Sequence, residues 1–372
     1  MRVVVGLSGG VDSAVAAWLL QRQGHTVRAV YMKNWEEDDT QGRCSAAEDL
    51  EYAEAVCARL GVGLERVNFS DRYWERVFER FLAEYAAGRT PNPDVLCNSE
   101  IKFRAFLEYA LGRGAEAVAT GHYARREHTA RGWRLYRATD PDKDQTYFLH
   151  RLDQAQLARA VFPLAALTKA QVRAIARRLG LPNAGRPDST GICFIGERRF
   201  DAFLERFLPA RPGEIVDLDG TVLGRHRGLL FYTIGQRKGL GLGGRRDRGQ
   251  APWYVAYKDI AGNRLVVVQG HDHPALFRDR LVGADFHWIA GGPPARRFTA
   301  QARIRHRQPL QPCRVEVAGA GRVRVCFQSP QRAVAAGQYV VLYNGRECLG
   351  GGVIETDVEP SGTGWSIASK TA

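Results

Sequence analysis

The residues best suited to chemistry near the start of the chain are Ser8-Gly9-Gly10-Val11-Asp12-Ser13, between a β-branched run (Arg2–Val5) and a helical stretch (Ser13–Gln23). Glycines there let the backbone approach an anion closely. The helix N-terminus adds unpaired N–H groups and a positive dipole end. Ser8 and Ser13 can donate hydroxyl hydrogen bonds to phosphate oxygens, and Asp12 can hold Mg²⁺. The segment matches neither G-x-x-x-x-G-K-[ST] nor G-x-G-x-x-G, and it lacks the lysine of a γ-phosphate-transferring loop. The plainer alternative is a tight turn capped by Asp or Ser.

Thiol chemistry is the second candidate. Seven cysteines occur, with no C-x-x-C pair, so zinc-ribbon and thioredoxin readings lose their main support. Cys97 sits in Thr90-Pro91-Asn92-Pro93-Asp94-Val95-Leu96-Cys97-Asn98, where two prolines oppose a regular helix. The pattern predicts a helix over 99–111, with Cys97 immediately before it and its thiol acidified by the helix end. Asp94, three residues earlier, is placed to carry a proton. Cys193 sits in a loop-like run, Asp188–Gly196, with Arg198 and Arg199 nearby to favour a thiolate. Cys44, Cys57, Cys313, Cys326 and Cys348 read as small buried hydrophobes. Cys97 and Cys193 are 96 residues apart, whereas a disulfide needs Cα atoms within about 7 Å.

The elements that must position these groups follow from periodicity. Strand-like and helix-like runs alternate over the first 120 residues: Thr26–Met32, Ala46–Leu60, Gly63–Phe69, Asp71–Ala87, Ile101–Leu111 and Ala115–Thr120. That alternation predicts an α/β unit, a Rossmann-like parallel sheet that binds ligands beyond the carboxyl ends of its strands. After about Pro209 short β-rich runs dominate, including Leu229–Ile234 and Phe298–Arg305, punctuated by Gly, Pro and Asn. We expect three units: 1–208 with the nucleotide loop, a small middle β-rich domain over 209–270, and a C-terminal β-barrel over 271–372.

Charge separates along the same line. The chain carries +13 overall, −5 over residues 1–100 and +18 over residues 101–372. A basic remainder points to a polyanionic partner, although Arg outnumbers Lys 46 to 7, the pattern an arginine-rich genome also gives. Arg303-Ile304-Arg305-His306-Arg307 would place three arginines on one face if it were a strand. There is no run of about 18 apolar residues and no signal-peptide pattern, so a cytoplasmic protein without a membrane span is expected.

SGGVDS after the first strand resembles the pyrophosphate loop of the PP-loop ATPases, which cleave ATP between its α- and β-phosphates and adenylate a carbonyl oxygen. Amide-forming synthetases, lysidine synthetase and RNA thiolases share that loop. Four further motifs, YMKNWEED (31–38), TPNPDVLCNSEIKF (90–103), TGHYAR (120–125) and DSTGICFIGERRF (188–200), together with YTIGQRKGLGLGG (232–244), make the chain resemble the bacterial tRNA-specific 2-thiouridylases. The absence of C-x-x-C favours that family over other RNA thiolases.

The resemblance implies that ATP activates the C2 carbonyl of a wobble uridine, in tRNAs with Lys, Glu and Gln acceptors. Gly6, Leu7, Ser8, Gly9, Gly10, Val11, Asp12 and Ser13 would hold ATP with Mg²⁺, with Met32 and Gly121 on the adenosine side. Cys193 would carry a persulfide from a sulfur-relay protein or cysteine desulfurase. Cys97 would attack the sulfane sulfur or resolve the intermediate, leaving a Cys97–Cys193 disulfide. Asp94 would shuttle protons, while Asn92, Pro93 and Asp94 shape the pocket of the target base. His122, Lys143, Asp144, Gln145, Arg305, His306 and Gln338 match the family's tRNA contacts, with His306 where a tyrosine is expected. Two alternatives remain at this point: another carbonyl-adenylating enzyme without catalytic cysteines, and a non-catalytic tRNA binder with a nucleotide-dependent switch.

Overall fold

The computed structural model describes residues 1–36, 45–188, 200–243 and 251–355. Cys44, Cys193, Arg198 and Arg199 lie outside them. The strands of the first part are β1 (Arg2–Gly6), β2 (Thr26–Lys33), β3 (Leu64–Asn68), β4 (Ala117–Ala119), β5 (Ala124–Thr129), β6 (Gly132–Arg137) and β7 (Ala160–Val161). Five of them form a parallel sheet in the order β3-β2-β1-β4-β7, with Val5 facing Ala29 on one side and Ala119 on the other. Successive strands are added outward on both sides of β1. Loops leaving the carboxyl ends of β1 and β4 therefore part from each other and open a crevice at Gly6–Ser13.

The expected helices are present, with one correction. The prolines do not exclude a helix at Cys97. Pro93 is its first residue, where a missing N–H is harmless, and Asn92 caps it by accepting from the Asp94 N–H at 3.2 Å. Pro93–Leu96 continues through a π-helical stretch, Cys97–Ala105, into Phe106–Gly112. Cys97 is thus inside the helix, its N–H already turned back to the Pro93 and Asp94 carbonyls.

The middle unit holds β8 (Gly213–Val216), β9 (Val222–His226), β10 (Trp253–Asp259) and β11 (Arg264–Gln269), in the order β10-β11-β8-β9. Leu229–Ile234, expected as a strand, is instead a 3₁₀ turn over Leu229–Phe231, entered through Gly228 at φ 154°. Its Leu229 and Tyr232 fill the space over the middle sheet, so burial rather than strand pairing explains the apolar run.

In the last part, β12 (Phe277–Trp288), β13 (Arg297–Arg303), β14 (Gln311–Gly319), β15 (Arg322–Arg332), β16 (Tyr339–Asn344) and β17 (Glu347–Glu355) close into an antiparallel barrel through a β12–β17 pairing. Closure needs Gly350–Gly352. A Cβ on Gly350 would overlap the His287 carbonyl, and one on Gly352 would stand 2.6 Å from the Ala284 oxygen. The β5–β6 hairpin joins this sheet through β6, which pairs Leu135 with Cys348. Arg303 ends β13, and Ile304–Arg307 is a turn, so the three arginines expected on one strand face do not share one.

One apolar cluster runs through the interior. It joins Val4, Val30 and Val118 of the parallel sheet, Val95, Cys97, Ile101, Phe103 and Phe106 of the helix, Leu135 of the hairpin, and Tyr339, Val341 and Tyr343 of the barrel. Phe103 and Phe106 are fully buried, each contributing about 1.5–3 kcal/mol. The Cys97 helix is therefore wedged between sheet and barrel. No described helix is long and apolar enough to cross a membrane.

Candidate active site

β1 ends at Gly6, and the chain turns through Leu7–Gly10 into the helix Val11–Arg22. Gly9 has φ 74°, and a Cβ there would overlap the Asp49 carbonyl, so the turn requires glycine. Ser13 shapes the loop, accepting from the Ser8 N–H at 3.2 Å and donating to the Gly10 carbonyl at 3.0 Å. Gly10 caps the helix without any side-chain hydrogen bond, and the Ser8 side chain is exposed. The first N–H groups of a twelve-residue helix consequently face the crevice, which is what an anion needs. Gly121, following β4, packs so closely that a Cβ would stand 2.7 Å from the Ser13 nitrogen. Met32 on β2 closes the other side against Gly6.

A lysine from a distant helix reaches the loop. Lys169, first residue of the helix Lys169–Arg178, places its ammonium 2.7 Å from both Asp12 carboxylate oxygens and 2.7 Å from Asp188. Tyr123 donates its hydroxyl to Asp12 at 2.8 Å, and buried Asn183 donates to the Gly9 carbonyl at 2.9 Å. Lys143 at 2.6 Å and Arg173 at 2.9 Å also hold Asp188. Burial pushes the Asp188 carboxyl up, but hydrogen bonds and charge from Lys143 and Lys169 outweigh it and set it at about 2. Asp188 is the last described residue before the segment that carries Cys193.

The sequence reading missed Lys169, Tyr123 and Asn183. One local signal pointed to Lys169: a lysine in the first turn opposes the helix dipole, so it wants an anionic partner. Thr168 and Gln171 form the capping box that fixes that turn.

Asp94 occupies the first turn of its helix and is largely enclosed; burial raises its carboxyl above the usual range, and Lys102 opposes this. Cys97 is one turn further and 3% exposed. A cavity of about 230 Å³ lies beside them, lined by Pro91, Asn92, Pro93 and Leu96 on one wall and Arg151, Tyr339 and Val353 on another. Asn92 and Pro93, expected at the base pocket, line it; Asp94 does not. Of the remaining described thiols, burial pushes Cys57 to about 11 and Cys313 to about 12 and raises Cys348. Cys326, expected to be buried, is instead exposed, because its side chain points outward from β15.

Three family models match successive parts of the chain. They are a "tRNA methyl transferase HUP domain" over residues 1–197, a "tRNA methyl transferase PRC-barrel domain" over 201–269, and an "Aminomethyltransferase beta-barrel domain" over 278–354. The protein named tRNA-specific 2-thiouridylase MnmA from Methylococcus capsulatus is 57% identical over 355 residues, covering 95% of this chain and 96% of that one. Its namesake in Cupriavidus metallidurans is 56% identical, covering 95% and 99%, and that of Escherichia coli O1:K1 is 53% identical, covering 95% and 96%. The chain belongs to the tRNA-specific 2-thiouridylase family.

Its HUP unit is that of an ATP-using class. A 4-thiouridine synthetase–RNA complex with bound ATP aligns at TM-score 0.33 and 17% identity, over 55% of this chain and 49% of that one.

The residues matched to the family's tRNA contacts fall into distinct environments. Lys143 and Gln145 flank the loop before the helix Thr146–Leu149; Gln145 accepts from the Tyr123 N–H at 2.9 Å. Asp144 between them is 1% exposed, paired with Arg137 at 3.1 Å and Arg303 at 3.0 Å. Its side chain holds the hairpin to the barrel. His306 donates to the Asp144 carbonyl at 3.0 Å and packs on Phe148 at 4.4 Å. His122 is buried beside Phe103, and that burial keeps its imidazole neutral. Arg305, with an exposed side, donates to the Ala333 carbonyl at 2.8 Å. Gln338 donates to the Thr90 carbonyl at 2.8 Å and the Pro91 carbonyl at 3.3 Å, which joins the barrel to the Asp94 segment.

Proposed function

We propose that this tRNA 2-thiouridylase thiolates the wobble uridine of anticodons by adenylating its C2 oxygen and displacing AMP with persulfide sulfur. The observation that carries the reading is the crevice at Gly6–Ser13, where an uncapped helix N-terminus, two serines and the Lys169 ammonium converge. Such a site binds the pyrophosphate of ATP and stabilises negative charge as it leaves.

The uridine C2 oxygen attacks the α-phosphorus and pyrophosphate departs. A carbonyl oxygen leaves poorly and AMP leaves well, so ATP supplies the drive. The terminal sulfur of a Cys193 persulfide then attacks C2 as AMP leaves. The Cys97 thiolate attacks the Cys193 sulfur, which releases 2-thiouridine and forms a Cys97–Cys193 disulfide. Asp94, with its raised carboxyl, carries protons for the thiols and the base. The persulfide sulfur comes from a relay protein or cysteine desulfurase, and the reaction takes place in the cytoplasm.

Lys143, Gln145, Arg305 and His306 border the tRNA surface. Magnesium would accompany the nucleotide phosphates, with Asp12, whose carboxylate Lys169 also holds, as its contact on the protein. Among the described residues no group of three His, Cys, Asp or Glu side chains could hold a metal.

The test incubates the protein with ATP, a persulfide source and unmodified tRNA. Mass spectrometry of nucleosides should find 2-thiouridine, and the nucleotide fraction should contain AMP. Formation of ADP would overturn the adenylation step.

A further inference from the structure

The stretch Gly88–Pro91 links the end of the helix Glu79–Ala86 to the cap of the Asp94 helix, and two other units of the protein hold it. Gly88 closes the first helix at φ 73°: its N–H donates to Tyr85 and that of Arg89 to Glu84, both at 2.9 Å. The middle sheet reaches this turn from β10. Lys258 donates its ammonium to the Gly88 carbonyl at 2.8 Å, and the Ile260 side chain fills the space where a Gly88 Cβ would stand. Among the described residues no carboxylate pairs with Lys258, and burial lowers its pKa to about 8. The ammonium stands at the C-terminal end of the helix Glu79–Ala86, where the dipole favours a cation, and its charge-assisted hydrogen bond fixes the Gly88 carbonyl.

The barrel grips the next two residues. The Thr90 N–H donates to the Ala336 carbonyl at 2.8 Å, and Gln338 donates to the Thr90 and Pro91 carbonyls. Gly337, at φ 88°, permits this approach, since a Cβ there would lie 3.0 Å from the Thr90 nitrogen. Thr233 of the middle unit meets the Thr90 hydroxyl at 3.4 Å. The next residues are Asn92, Pro93 and Asp94, so the helix carrying Asp94 and Cys97 starts from a backbone fixed by groups up to 248 residues away.

We propose that Lys258 and Gln338 are positioning residues for thiolation: from the middle unit and the barrel they set the Gly88–Pro91 backbone, and through it the placement of Asp94 and Cys97. The proposal rests on the assignment of those two residues to the reaction. It gives the middle unit a part in turnover that needs no contact with tRNA. A displacement of about 1 Å at a reacting group lowers a rate by up to about 100-fold.

The experiment measures 2-thiouridine formation by the full chain at varied ATP and tRNA for Lys258→Met, Lys258→Arg, Gln338→Leu and the double variant Lys258→Met/Gln338→Leu. Thermal melting runs alongside. Lys258→Met should lower kcat at least tenfold while KM for ATP and for tRNA stays within about twofold, and Lys258→Arg should recover most of the loss. Gln338→Leu should also lower kcat, and the double variant should lose less than the product of the single losses, because both hold one segment. Wild-type kcat in a folded Lys258→Met protein, or a loss confined to KM for tRNA in Gln338→Leu, would overturn the proposal. Should Lys258→Met fail to fold, Gln338→Leu decides alone by the same split. Asp94→Asn and Cys97→Ser in the same assay separate the two levels. If they retain activity the site assignment fails; if they are inactive while the clamp variants turn over normally, only the clamp fails.

Discussion

The Lys169 ammonium lies 2.7 Å from both carboxylate oxygens of Asp12, across 157 residues of sequence. It also reaches Asp188 at 2.7 Å, so one cation ties the nucleotide loop to the residue that leads into the Cys193 segment. A charge-assisted hydrogen bond of this kind contributes about 1.5–3 kcal/mol. Lys169→Met should therefore raise KM for ATP about 10- to 100-fold, with tRNA affinity unchanged. Steady-state kinetics at varied ATP checks this, and an unchanged KM would remove Lys169 from the phosphate site.

Asp94 pits stability against activity. Burial raises its carboxyl above the unfolded value of 3.8, so stability falls as the pH rises from 3.8 through the folded pKa and stays lowered above it. Below 3.8 both states are protonated and the effect vanishes. Asp94→Asn should thus melt higher than wild type at pH 7, by about 1 °C for each kcal/mol relieved, and that gain should shrink on acidification. Thiolation should be lost in the same variant. A lower melting temperature at pH 7 would contradict the burial argument.

Asp144→Ala leaves Arg303, which is 5% exposed, and Arg137 without their carboxylate. Removing one partner of a buried pair destabilises by about 3–5 kcal/mol. Urea unfolding should show a loss of that size in unfolding free energy, read from the lowered midpoint and the m-value. A near-neutral result would show that these pairs do not hold the hairpin to the barrel.

Cys193→Ala should abolish 2-thiouridine formation while leaving tRNA binding intact, measured by filter binding and nucleoside mass spectrometry. Retained thiolation would sink the persulfide assignment. Cys348→Ala and Cys313→Ser, at thiols that burial holds protonated, should leave the sulfur-transfer chemistry in place.

Much of this protein was legible locally. Val3–Val5 followed by SGGVDS announces strand, anion-binding turn and helix within a few residues, because backbone preference and period are short-range properties. The same holds for the alternation that forecast the parallel sheet and for the β-rich remainder. Errors arose where a local rule had a second outcome. Two prolines beside Asn92 read as a helix breaker, yet Pro at the first helical position after an Asn cap starts one. The apolar run at Leu229 read as a strand because burial and pairing select the same residues.

By itself, the sequence determined most of the elements, the order of its motifs and the residue types available to its loop and thiols. Only the tertiary structure decided that Lys169 reaches the loop at Asp12, that Asp144 is enclosed by Arg137 and Arg303, and that Gln338 and Lys258 reach the Asp94 segment. Those relations depend on how sheet order and barrel closure bring distant residues together. Periods of 2 and 3.6 fix a side chain's face, and only packing fixes what that face meets.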